Sequence, residues 1–215
     1  MKPEAYNADT ICFAMGLGGF KPGVPEEGWV ARMLLTPSFH PEVCLTIRSE
    51  DRHCLVEVRV AQAQIWRAGP LPQATRAGST RLDEGMTRWL YQRLAEPRPG
   101  REGQTLILDG MGLATIIRTA DASHESNGHV SQPEFAWLGE LLTVLHRVLH
   151  DSGCLRGLAN AGHYVGLDLP VPEASAEQPP VRLGVLGASM DRWELASAIA
   201  ATKRRPGTQT GQSED

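Results

Sequence analysis

Residues 43–60 constrain the fold most. In EVCLTIRSEDRHCLVEVRV, Val43, Leu45 and Ile47 alternate with Cys44, Thr46 and Arg48. Beyond a polar break at 49–52, Val56, Val58 and Val60 alternate with Leu55, Glu57 and Arg59. Side chains on a strand point to opposite faces in turn, so this pattern predicts an antiparallel hairpin with one face buried and Arg48, Glu57 and Arg59 on the other.

Helical periodicity follows. Leu82, Met86, Trp89, Leu90 and Leu94 form one stripe, with Ser79 or Thr80 as its cap. Phe135, Leu138, Leu141, Leu142, Leu145, Val148 and Leu149 form a stronger one, opened by Pro133 and closed by Gly153. Between them, QTLIL and LATIIRT flank DGMG and read as a second hairpin. A short helix is expected from Pro25, carrying Trp29, Val30, Met33 and Leu34. HYVGLDL and VRLGVLG suggest late strands, and SMDRWELASAIAAT a last helix.

The order hairpin, helix, hairpin, helix, late strand predicts an α+β fold. Its antiparallel sheet is built from two hairpins plus a late strand and packed by two or three amphipathic helices. One globular domain over 1–202 is expected, with an irregular segment at 1–24, Pro/Gly-rich loops at 67–79 and 168–180, and a disordered tail at 203–215.

Composition removes several functions. A net charge of −4 provides no general field for nucleic acid or an anionic membrane. No apolar run reaches the roughly 18 residues of a membrane span, and no signal-peptide pattern opens the chain. The four cysteines form no C-x-x-C pair. They read as reduced thiols of a cytoplasmic protein, with Cys44 and Cys54 facing each other across the hairpin.

Four motifs invite a chemical reading. VRLGVLGASMDRWELA resembles the strand–glycine–helix opening of a dinucleotide site, but it lacks G-x-G-x-x-G, and the strand and acidic residue that should follow have no room. GLGG at 16–19 reads as a turn. His146 and His150 share a helix face beside the leucine stripe, where His150 meets the negative helix end. No G-x-S-x-G elbow is present, Cys154 and His163 make a weak Cys/His pair, and Asp109 is better placed as a turn residue.

The stretch ADASHESNGHVSQPEF holds Asp121, His124, Glu125 and His129 within nine positions. Such a cluster suits a metal-dependent hydrolase if the chain folds it together. The spacing His-Glu-x-x-x-His lacks the i, i+4 geometry of a helical metal site, so a polar loop is the expectation. No cofactor is expected.

Charge is unevenly placed. Between residues 67 and 101, seven arginines face Asp83, Glu84 and Glu96, a local +4. Arg81, Arg88 and Arg93 there, with Arg48 and Arg59 on the first hairpin, are the candidate partner surface. The expectation is a non-catalytic protein-binding module, such as a small bacterial inhibitor of immunity-protein type or an assembly component. The metal-dependent hydrolase on 121–129 is the alternative. A nucleic-acid binder on the arginine-rich segment ranks third, since aromatic residues there are sparse.

Overall fold

The computed structural model describes residues 7–65, 72–96 and 110–172. Six strands form one antiparallel sheet: β1 (Trp29–Pro37), β2 (Val43–Glu50), β3 (His53–Ala61), β4 (Thr75–Leu82), β5 (Met111–Thr119) and β6 (Ser123–His129). Their spatial order is β4-β3-β2-β1-β5-β6. Helices α2 (Glu84–Ala95), α3 (Trp137–Val148) and α4 (Ser152–His163) pack on one face, and α1 (Ala8–Ala14) covers part of the other. This is the expected α+β class with an antiparallel sheet.

The 43–60 alternation holds residue by residue. Val43, Leu45, Ile47, Val56, Val58 and Val60 join Met33, Leu35, Leu90, Leu138, Leu142 and Leu158 in the main core between sheet and helices. Trp89 of α2 meets Trp137 of α3 edge-on, with ring centroids 6.0 Å apart. A second core lies beneath α1, where Ile11, Cys12, Met15 and Phe20 pack on Leu34, Cys44 and Ile116. No described helix is long and apolar enough to cross a membrane.

Several local expectations are corrected. Residues 29–34 are strand, not helix. Being central, β1 is covered on both faces, so its apolar residues run almost without a break and imitate a helical stripe. Within the supposedly irregular 1–24, Asn7 caps α1 by accepting the Thr10 amide at 2.9 Å. Part of the 67–79 linker is strand β4, an edge strand too polar to announce itself. Asp83, rather than Ser79 or Thr80, caps α2.

The loop expected at 120–135 contains β6, paired with β5 from Gly112↔His129 to Arg118↔Ser123. The second hairpin is therefore β5–β6, while QTLIL and Asp109 lie outside the described residues. Gly153 does not end a helix; it sits in α4, which begins at the cap Asp151, whose carboxylate accepts the Cys154 amide at 2.7 Å. HYVGLDL is not a strand, since His163 closes α4 and the chain then turns. Cys44 and Cys54 point to opposite faces of the sheet, and all four cysteines are buried free thiols. The late strand VRLGVLG, the last helix, the tail and most of the 168–180 loop lie outside the described residues.

Candidate functional site

Register turns the strand sequences into an ordered surface. On the face opposite α2, α3 and α4, Arg81 pairs with Leu55, Leu55 with Arg48, Arg48 with Val30, and Val30 with Arg118. One transverse row therefore reads Arg81–Leu55–Arg48–Val30–Arg118. Its arginines lie on every second strand, roughly 9–10 Å apart at ordinary strand spacing. The next row reads Ser79–Glu57–Thr46–Arg32–Ile116–Glu125. The third reads Ala77–Arg59–Cys44–Leu34–Ala114–Asn127 and lies beneath α1 at its centre.

Strand positions on this face carry Arg32, Arg48, Arg59, Arg81 and Arg118 against Glu50, Glu57 and Glu125. Glu57 is bonded by Arg59 Nε at 2.6 Å, with Arg48 at 3.9 Å, while Arg81 meets Glu50 at 2.7 Å. Arg48 and Arg81 remain well exposed, with side chains 51% and 64% accessible.

The five predicted arginines thus divide. Arg48, Arg59 and Arg81 share the sheet face, whereas Arg88 and Arg93 belong to α2, paired within that helix to Glu84 and with the following Glu96. Sequence reasoning missed Arg32, Arg118 and Lys21. Nothing in the local pattern marks them, because their grouping depends on strand pairings between distant segments.

Arg32 is the unusual member. It is 5% exposed, and among the described residues it forms no ion pair. Its Nε donates to Thr46 Oγ1 at 3.3 Å, and its Nη1 donates to the carbonyls of Leu17 and Gly19. The GLGG turn supplies those carbonyls: Gly16 and Gly18 take φ of 73° and 77°, a region that disfavours other residues. Arg118 Nη1 donates to Pro22 O at 2.6 Å and fixes the next part of that segment.

Between this segment and the sheet lies a cavity of about 430 Å³. Lys21, Arg32 and Arg48 contribute its charge, Leu17, Pro22, Val24, Pro25 and Val30 its apolar wall, and no described carboxylate lines it; the Trp29 ring turns to the other face, against Tyr91 of α2.

The Asp121–His129 cluster does not converge. Alternation along β6 sends His124 to the helix face and Glu125 and His129 to the other. Glu125 and His129 are four residues apart along an extended strand, about 13 Å. Glu125 is paired to Lys21 at 2.5 Å, and His129 Nδ1 shares a 2.8 Å hydrogen bond with Ser131 Oγ. Partial burial holds the His129 pKa below the usual imidazole value. Asp121 precedes the strand. Among the described residues no three His, Cys, Asp or Glu side chains are grouped to hold a metal.

His146 Nε2 contacts Pro170 O at 2.9 Å, and Cys154 is buried with its thiol toward Val58 O at 3.5 Å. Burial and the neighbouring Asp151 raise that thiol's pKa strongly, which makes it a poor nucleophile. No family model, curated protein or solved structure matches the chain.

Proposed function

We propose that the chain is a non-catalytic, cytoplasmic protein-binding module, of the small inhibitor or immunity type or an assembly component, that meets an acidic partner through the helix-free sheet face. The row Arg81–Leu55–Arg48–Val30–Arg118 carries this reading. Its exposed part sets Arg81 and Arg48 on either side of Leu55, the combination of charged rim and apolar centre that protein interfaces use, while Val30 is buried and Arg118 is held by Pro22 O. Exposed ion pairs such as Arg81–Glu50 contribute at most about 1 kcal/mol, so a partner's carboxylates can replace the internal ones at small cost. The metal-dependent hydrolase reading finds no converging ligand set on β6.

Affinity purification of the tagged chain from its native host, with metal analysis of the same sample, tests the proposal. The expected result is a stoichiometric acidic protein that dissociates as salt is raised, without stoichiometric metal. Stoichiometric zinc or a similar ion with no bound protein would overturn it.

A further inference from the structure

A buried guanidinium is costly unless its charge is compensated, and neutral carbonyl and hydroxyl acceptors supply only part of that compensation. Lys21 faces Glu125, and Arg48 is exposed and shares Glu57 with Arg59, whereas Arg32 is the buried cation of the cavity and meets only neutral acceptors. We propose that this cavity binds a small organic carboxylate, whose anionic group lies against Arg32 and whose apolar body lies against Val24, Val30 and the prolines of the 22–25 segment.

Two features select that class. The planar fork of an arginine suits the two oxygens of a carboxylate. The volume of about 430 Å³ falls within the usual range of small-molecule sites, and a wall that is about half polar and half apolar suits a ligand with an anionic end and an apolar body. Val24 is 51% exposed at the cavity and leaves a way in. The cavity shares Val30 and Arg48 with the arginine row, but its occupant is a free ligand beneath the 17–25 segment, and its test uses the isolated chain with no partner present.

Phenylacetate is the probe, followed through the Arg Nε–H resonances at constant ionic strength, with neutral phenylacetamide as control. Saturable binding is expected with a Kd of about 1 mM, ordinary for a ligand of that size, and at least about tenfold weaker for the amide. Val24→Trp places a large ring at the cavity mouth from an exposed position. It is expected to abolish binding while the thermal midpoint stays unchanged. A capped glutamyl amide, standing for a partner's side chain, is expected to bind more weakly than phenylacetate. Equal binding of acid and amide, no saturation below about 10 mM, unaltered binding in V24W, or tighter binding of the glutamyl amide would each overturn the assignment.

Discussion

The Asp9 carboxylate accepts the backbone amide of Phe20 at 2.8 Å, closing the chain between α1 and the segment that lies over the sheet. That closure holds Leu17 and Gly19 where their carbonyls receive Arg32. Asp9→Ala is expected to lower stability by about 1 kcal/mol, since Asp9 itself is exposed. It should also weaken phenylacetate binding several-fold. Denaturant unfolding and the Arg Nε titration read the two effects separately, and an unchanged titration would detach Asp9 from the cavity.

Glu42 is fully buried, and both its carboxylate oxygens accept the Ile65 amide, at 3.1 and 2.9 Å. Glu42→Ala leaves that buried N–H without its acceptor and is expected to cost about 1–3 kcal/mol in urea unfolding. Glu42→Gln keeps an acceptor oxygen and should cost less.

Two helix glycines make a matched pair. A Cβ on Gly157 of α4 would stand 2.4 Å from Val60 Cγ2, whereas one on Gly139 of α3 meets nothing closer than 3.8 Å. Ala gains up to about 1 kcal/mol of helix propensity at either site. At Gly157 the collision with a stiff β-branched side chain outweighs that gain, for a net loss of about 1–2 kcal/mol. Gly139→Ala should raise the thermal midpoint and Gly157→Ala lower it.

Acid should destabilise the protein partly through histidines. Burial depresses the pKa of His129, and burial together with the charge of His163 depresses that of His40. A depressed histidine favours the neutral form in the fold. Its contribution is complete above the unfolded value of about 6.5 and is lost as pH falls through that value toward the folded one. Urea midpoints at about pH 7.5 and 5.5 should differ less in His40→Gln/His129→Gln than in the parent.

Thiol reactivity should be low despite four cysteines. Burial raises Cys44, Cys54 and Cys154; contact with the Cys44 thiol lowers Cys12, yet Cys12 is itself fully buried. Ellman's reagent is expected to label none rapidly in the native protein and all four after denaturation. One fast native thiol would point to an opening at α1.

Where apolar and polar residues alternate, the sequence announces the element: β3, α2 and α3 carry their period in plain view, as does β2, although Cys44 and Thr46 on its second face are buried too. β1 does not, because both its faces are covered. β6 does not, because an edge strand of Ser, His, Glu, Asn and Gly buries too little to show a pattern. Gly153, Gly157 and Gly162 obscure α4, although Gly153 and Gly157, where a Cβ would come within 3 Å of Arg76 and Val60, serve close packing. The candidate site was legible in part. Arg48, Arg59 and Arg81 stand out as charges within strands or an arginine-rich stretch, but their alignment with Arg118 and the buried Arg32 follows from pairings between segments up to about ninety residues apart.

The arginine row is tested most directly by charge reversal on each side of the sheet. Arg48→Glu/Arg81→Glu alters the helix-free face, and Arg88→Glu/Arg93→Glu alters α2 by the same amount of charge. Partner recovery in side-by-side affinity purification should fall at least about tenfold for the first pair and stay near the parent level for the second, with both variants folded by circular dichroism. Equal recovery from the two variants, or loss confined to the α2 pair, would contradict the account.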